Sequence, residues 1–242
     1  MKIFILLSYV LLASQWATAQ WFGQNTIKGN GNVIQDNRTT AKYDQIEMSG
    51  FFDVELISGT EGSLTITGEE NLIPHIVTKV KGKTLTIETE KGYNLQPSKR
   101  TGILVRVPFE RLTAVTLTGS GNIYSKDVIA SDDLHTELTG SGDIALNLNV
   151  QNLETSLVGS GDVELQGNAQ KVVYKLSGSG DIEALTLKAV DVHVKLIGSG
   201  DISLHCDGTL QVKIAGSGDV TYSGTPTQEH SKISGSGEVS PE

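Results

Sequence analysis

Residues 176–184 read Leu-Ser-Gly-Ser-Gly-Asp-Ile-Glu-Ala, and the central Gly-Ser-Gly of this stretch occurs seven times in the chain. The copies follow one another at intervals of 18 to 21 residues. A regular interval of this length indicates a repeat architecture. We interpret the two glycines of each copy as structural turns, and they are Gly119, Gly121, Gly140, Gly142, Gly159, Gly161, Gly178, Gly180, Gly198, Gly200, Gly216, Gly218, Gly235 and Gly237.

Aliphatic residues flank every copy with a spacing of two. In each copy the residue two before the first glycine and the residue four after it are aliphatic, as Leu176 and Ile182 are. This spacing predicts strands with one buried face. Counting by twos places both glycines on that face, where a side chain would collide with the opposite wall of a sharp corner. Ser179 and Asp181 then point outward, where they can accept hydrogen bonds from backbone amides at the corner.

A unit of about 19 residues with two short strands cannot bury its apolar face alone, so the units must stack. The sequence therefore predicts an all-β fold, a right-handed parallel β-helix (β-solenoid) of two sheets with Gly-Ser-Gly corners. A β-rich N-terminal cap is expected to cover one end, because an open end exposes unpaired strand edges.

The chain divides into four predicted segments. Residues 1–19 have the apolar run and the final Ala-Thr-Ala of a signal peptide, and the run is too short to span a membrane. Residues 20–40 are an irregular lead-in, residues 41–110 the β-rich cap region and residues 111–242 the solenoid. We expect an exported protein that resides in the periplasm, on the outer cell surface or outside the cell.

These motifs resemble a known family. The Gly-Ser-Gly-Asp array, the stretch Ser-Gly-Phe-Phe-Asp-Val at residues 49–54 and the stretch Gly-Ser-Gly-Asp-Val-Thr-Tyr-Ser-Gly-Thr-Pro at residues 216–226 are similar to the head GIN domain family of auto-transporter adhesins. That family is known from secreted proteins of Bacteroidetes-type bacteria. The resemblance implies a two-sheet β-helix shaped like a pectin lyase without its catalytic residues, a role in adhesion and a homo-oligomer, namely a trimer.

The composition of the chain disfavours several kinds of partner, cross-link and cofactor. The formal net charge of -9 disfavours a nucleic-acid partner, since phosphate binding needs a dense Lys and Arg footprint. Cys206 is the only cysteine, so an internal disulfide is impossible, and we expect a small buried side chain there. The five histidines lack zinc-ligand spacing, and we expect no cofactor.

An aspartate follows most of the corners. Two interpretations of this column stay open: the carboxylates cap the turns, or they form a weak divalent-cation ladder. The column comprises Asp143, Asp162, Asp181, Asp201 and Asp219.

A lysine stands three residues before four of the corners and points outward by the same parity. This lysine column comprises Lys175, Lys195, Lys213 and Lys232. With His193 and His230 it predicts one basic outer face, opposite a face made acidic by Glu164, Glu183 and the aspartates. The column is either a solvated surface that deters aggregation or a partner-binding face. The candidate partners are a second rod or an acidic host or matrix glycan or protein.

The leading functional hypothesis is an exported, non-catalytic binding or structural module, a cell-surface adhesin. The alternative is a carbohydrate-active β-helix enzyme that acts on polysaccharide, which would need an acid cluster with a basic partner in a groove. The arginines Arg38, Arg100, Arg106 and Arg111 all precede the first Gly-Ser-Gly corner, which disfavours that alternative.

Overall fold

The structure is a computed structural model that describes residues 25–98 and 102–242, and the predicted signal peptide lies outside these residues. The described residues of the N-terminal part form nine strands and a 3-10 turn at Ile73–His75. Its strands are β1 (Asn25–Lys28), β2 (Val33–Thr39), β3 (Gln45–Gly50), β4 (Asp53–Ser58), β5 (Ser63–Glu69), β6 (Ile76–Lys81), β7 (Thr84–Thr89), β8 (Tyr93–Gln96) and β9 (Leu104–Phe109).

The repeat region follows and is built of strands alone. They are β10 (Ala114–Gly119), β11 (Asn122–Ser125), β12 (Ile129–Gly140), β13 (Asp143–Gly159), β14 (Val163–Gly178), β15 (Ile182–Ala184), β16 (Leu187–Gly198), β17 (Ile202–His205), β18 (Thr209–Gly216), β19 (Val220–Ser223), β20 (Gln228–Gly235) and β21 (Val239–Pro241). The part of the chain that is described contains no helix long and apolar enough to cross a membrane.

The predicted β-solenoid is confirmed. Each turn, here called a rung, has one strand before the Gly-Ser-Gly corner and one after it. Equivalent strands of consecutive rungs pair in parallel, both before the corner and after it. The register stacks corner on corner, as Gly159, Gly178 and Gly198 show. The two predicted sheets are the pre-corner face and the post-corner face of the rod, and β13 and β14 run through both faces without a break.

Aliphatic rows fill the interior between the two faces. Leu157, Leu176 and Leu196 stack in one row and are at most 2% exposed. Burying a leucine side chain fully contributes about 1.5–3 kcal/mol, so rows of this kind stabilise the rod.

A side chain at a corner glycine would collide with the backbone of the rung below. We expected the collision to be with the opposite sheet, so that expectation is corrected. Gly178 has φ +142°, and a Cβ atom there would lie 2.0 Å from the carbonyl oxygen of Gly159. That carbonyl oxygen accepts hydrogen bonds from the backbone N–H groups of both Ser179 and Gly180, at 2.9 and 3.2 Å. The stacking of one corner on the next therefore leaves no room for a side chain.

The N-terminal boundaries differ from the prediction. Strands β3 and β4 form a solenoid rung in register with β10 and β11, and β7 and β9 form the rung beneath it. The solenoid thus starts well before residue 111. The 20–40 segment was expected to be irregular, yet β1 pairs with β8 and β2 pairs with β5. Their side chains are mostly exposed and polar, so backbone pairing rather than an apolar pattern defines these strands.

Antiparallel strands terminate the ladder at this end. Strand β6 pairs antiparallel with β7, and β5 pairs antiparallel with both β9 and β2. Reversing the strand direction covers the edge that a parallel rung would otherwise leave unpaired. This part of the chain therefore caps the solenoid and also contributes two of its rungs.

Candidate binding face

One outward column runs the length of the pre-corner face, three residues before each corner. Its residues are neighbours in the strand register from rung to rung. We call it the charged column, and from the cap toward the C-terminal end it reads Glu47, Thr116, Glu137, Ser156, Lys175, Lys195, Lys213 and Lys232. The four predicted lysines therefore do lie in one line, about 4.8 Å apart from rung to rung.

The lysines line a shallow groove of about 290 Å³ on this face. Lys175 is bonded to Glu154, and this hydrogen bond lowers the pKa of the Glu154 carboxyl. Among the described residues, Lys195, Lys213 and Lys232 have no ion-pair partner. His193 and His230 border the same groove, as expected from the sequence. Three unpaired cations at this spacing repel one another.

A second groove of about 630 Å³ lies beside the first and holds three carboxylates. Asp133 accepts from the Asn152 side chain at 2.9 Å, and Asp191 accepts from the backbone N–H of Thr209 at 3.1 Å. The third is Glu154, whose pKa is lowered by Lys175, whereas a general acid needs a raised pKa. His135, Lys171 and His193 line the same groove. The lowered pKa disfavours Glu154 as the general acid of a polysaccharide-cleaving site.

The corner aspartates cap the turns from one rung to the next. From Asp162 onward, the backbone N–H of each acidic corner residue donates to Oδ1 of the aspartate one rung below. The distances are 3.2 Å for Asp162 to Asp143, 3.1 Å for Asp181 to Asp162, 2.7 Å for Asp201 to Asp181, 2.7 Å for Asp219 to Asp201 and 2.8 Å for Glu238 to Asp219. Within residues 25–98 and 102–242, no group of three or more His, Cys, Asp or Glu is placed to hold a metal ion. The geometry favours turn capping over a cation ladder.

The expected division into one basic and one acidic face needs correction. The pre-corner face is basic only in its C-terminal half, since Glu47, Glu137 and Glu154 lie on it nearer the cap. On the post-corner face Glu164 and Glu183 are stacked neighbours, as predicted. The acidic residues on the pre-corner face could have been predicted from the sequence in part, because Glu137 has the same offset from Gly140 that Lys175 has from Gly178. Charge is thus segregated along the rod axis as well as across it.

The structure also brings together a serine, a histidine and an aspartate that sequence reasoning missed. His205 Nδ1 lies 3.1 Å from Ser223 Oγ, and His205 Nε2 lies 3.1 Å from Asp207 Oδ2. A nucleophilic serine also needs free backbone N–H donors to stabilise an oxyanion. The N–H groups of Cys206, Asp207, Gly208 and Thr225 already donate within the chain. The contact between His205 and Ser223 links strands of neighbouring rungs.

Cys206 is buried, as predicted, and its Sγ lies 3.2 Å from the carbonyl oxygen of Val190. Burial raises the pKa of the Cys206 thiol. A raised pKa disfavours the reactive thiolate, so this residue is part of the packed interior.

Comparison with known proteins gives a family match and several similar folds. A family model described as "Putative auto-transporter adhesin, head GIN domain" matches residues 42–226. A search of curated proteins gives no match.

Three solved structures share the fold. A protein of Bacteroides fragilis NCTC 9343 described as a putative adhesin has 24% identity and a TM-score of 0.81, over 89% of this chain and 100% of its own. A protein of Parabacteroides distasonis ATCC 8503 described as a putative lipid binding protein has 27% identity and a TM-score of 0.74, over 90% and 100%. A putative adhesin of Parabacteroides merdae ATCC 43184 has 24% identity and a TM-score of 0.67, over 90% and 99%.

Proposed function

Because the chain belongs to the head GIN domain family of auto-transporter adhesins, we propose that it is an exported, non-catalytic adhesion module whose lysine column binds an acidic polymer. An adhesin-like family suggests a cell-surface or exported protein. The partner class that fits is a host or matrix glycan, or an acidic protein, that carries repeated carboxylate or sulfate groups. The observation that carries the proposal is the line of three unpaired lysines, Lys195, Lys213 and Lys232, along the groove in the described part of the chain.

A linear array of cations suits an extended polyanion better than a small acid. Each lysine contributes little alone, because an exposed ion pair stabilises a complex by about 0.2–1 kcal/mol. Repetition at a constant spacing lets one polymer engage several lysines at once, so the contributions add along the chain. His193, Gln211 and His230 border the same groove and can donate further hydrogen bonds to sugar hydroxyls or carboxylates.

The lipid-binding description of the Parabacteroides distasonis neighbour gives a contrasting partner for the test. The interior rows of this chain are closely packed, with Leu138, Leu165 and Ile182 fully buried. An acyl chain would therefore compete with the core for space, whereas an acidic polymer needs only the outer face. Vesicles with anionic headgroups are accordingly one arm of the experiment.

The test measures binding of the mature protein to immobilised heparin, hyaluronan and polygalacturonate, with neutral dextran and anionic vesicles alongside. We expect binding to at least one acidic glycan that weakens as salt rises, and none to dextran. Changing Lys195, Lys213 and Lys232 together to Gln should reduce affinity about tenfold or more.

The matched control changes Lys42, Lys81 and Lys91 to Gln, which removes the same charge away from the repeats. That variant should bind as the wild type does. Equal losses in the two variants would show that net charge rather than the groove is responsible. Binding to vesicles with no binding to any acidic polymer would overturn the proposal.

A further inference from the structure

The charged column is divided at its middle into an acidic half and a basic half. Glu47 and Glu137 lie on the cap side, and four lysines lie on the C-terminal side, with the boundary between Ser156 and Lys175. Glu137 has only a loose contact with His135 at 3.6 Å. Lys195 and Lys232 have no ion-pair partner in the described part of the chain. Charges segregated in this way do not neutralise one another within one rod.

A two-fold axis through the middle of the column pairs these charges. If two pre-corner faces meet with their rod axes antiparallel, each column lies opposite itself in reverse order. Glu137, one and a half rungs from the axis, then faces Lys195 of the partner subunit. Glu47, three and a half rungs away, faces Lys232 of the partner subunit. Symmetry repeats both contacts, so the surface is self-complementary.

The face is large enough for a stable dimer. It extends over eight rungs, from Gln45–Gly50 to Gln228–Gly235. At about 4.8 Å per rung and about 3.3 Å per residue, it measures roughly 35 Å by 25 Å, which is about 900 Å². Stable complexes commonly bury about 800 Å² on each partner. Val158 and Ile197, which are 45% and 43% exposed beside the charged column, would lose water in the same contact.

We propose that two copies of this chain pair through their pre-corner faces in an antiparallel, two-fold dimer held by Glu137 with Lys195 and by Glu47 with Lys232. This inference goes beyond the proposed function, because the second copy is a different partner on the same lysines. An acidic polymer and a second copy then compete for Lys195 and Lys232, so an acidic polymer dissociates the dimer.

Sedimentation velocity of the mature protein tests the dimer, with a charge-swap pair as the decisive variants. The wild type should be a dimer at low salt and a monomer at high salt. Glu137→Lys and Lys195→Glu should each be monomeric, because each places like charges opposite one another. Mixing the two variants should restore a dimer. In the mixed pair one copy has lysine at positions 137 and 195 and the other copy has glutamate at both positions, so each of these lysines faces a glutamate. Restoration also shows that both variants are folded.

The matched control is Glu164→Lys, the same charge change on the post-corner face, which should remain dimeric. A wild-type monomer at every salt concentration would overturn the proposal, and so would a trimer, a dimer that persists in Glu137→Lys, or a mixture that stays monomeric. The result is separable from polymer binding, because Glu137→Lys adds a cation to the face. That variant should bind an acidic glycan at least as tightly as the wild type even though it no longer dimerises.

Discussion

A Cβ atom placed on Gly180 would lie 1.9 Å from the carbonyl oxygen of Gly161, the equivalent glycine one rung below. The obstacle is backbone, so no side-chain movement can relieve it. We expect Gly180→Ala to destabilise the protein by about 3 kcal/mol, because the ladder must separate locally to admit the methyl group. The matched control is Ser179→Ala at the neighbouring position. Urea denaturation compares the two, and equal stabilities would contradict the close stacking of the corners.

The corner aspartates make a second prediction. Asp181 accepts a hydrogen bond from the backbone N–H of Asp201 at 2.7 Å, and its own N–H donates to Asp162 Oδ1 at 3.1 Å. Asp181→Asn keeps an acceptor oxygen and removes one like charge from the column, so stability should stay close to that of the wild type. Asp181→Ala leaves the Asp201 amide without its acceptor and should cost about 1 kcal/mol. Thermal unfolding of both variants measures the difference.

The same unfolding measurement distinguishes capping from cation binding. If the carboxylates only cap turns, EDTA leaves Tm unchanged and added calcium does not raise it. A fall in Tm with EDTA that calcium reverses would instead support a cation ladder.

The sequence predicts the repeat region well because its signal is local and recurs. Leu176, Gly178, Gly180 and Ile182 lie at fixed offsets, and stacking places each offset in one column. The same regularity places the lysine column correctly. Each new rung repeats the previous contacts, so one rung suffices to predict its neighbours.

The N-terminal part is harder to predict because its pairing is not between consecutive segments. Strand β3 lies between β7 and β10 in the ladder, although β7 follows β3 by several strands in the chain. The position of β3 between β7 and β10 leaves no periodic pattern in the sequence, so it cannot be predicted from residue spacing. The two acidic residues of the charged column were missed for different reasons. Glu137 has the same offset from a Gly-Ser-Gly corner as the lysines, so the sequence contains its signal, whereas Glu47 belongs to a rung without such a corner.

Two buried hydroxyls make a third prediction. Thr136 and Thr155 are fully buried in an inner row, and their Oγ1 atoms have no hydrogen-bond partner among the described residues. Their stacked neighbours are Val115 on one side and Tyr174 on the other. A buried hydroxyl without a partner costs about 1–3 kcal/mol, so Thr155→Val should raise the free energy of unfolding by about 1 kcal/mol. Calorimetry measures the gain.

The control for this change is Thr139→Val in the outward position of a neighbouring strand. Since Thr139 is only half-buried, the substitution should alter stability by less than about 0.5 kcal/mol. A loss of stability in Thr155→Val would show that the Thr155 hydroxyl makes a favourable hydrogen bond.

A buried carboxylate in the cap gives a fourth prediction. Glu69 is 1% exposed, and its two oxygens accept from the backbone N–H groups of Gly31 at 2.6 Å and Ser98 at 2.8 Å. Glu69→Gln replaces one acceptor with a donor that faces an N–H group, and we expect a loss of about 2 kcal/mol. The control is Glu70→Gln at the exposed neighbour, which should change little. Limited proteolysis near residue 31 should accelerate in the first variant only.

The buried thiol gives a final prediction, with a defined pH dependence. Burial raises the Cys206 pKa above its ordinary value of 9.0, so folding favours the neutral thiol. This contribution to stability is fully present below pH 9.0 and decreases as pH rises above it, because the unfolded chain ionises first. The difference in unfolding free energy between the wild type and Cys206→Ala should therefore shrink from neutral to alkaline pH. At neutral pH a thiol reagent should label Cys206 only after unfolding in urea, and rapid labelling of the folded protein would contradict its burial.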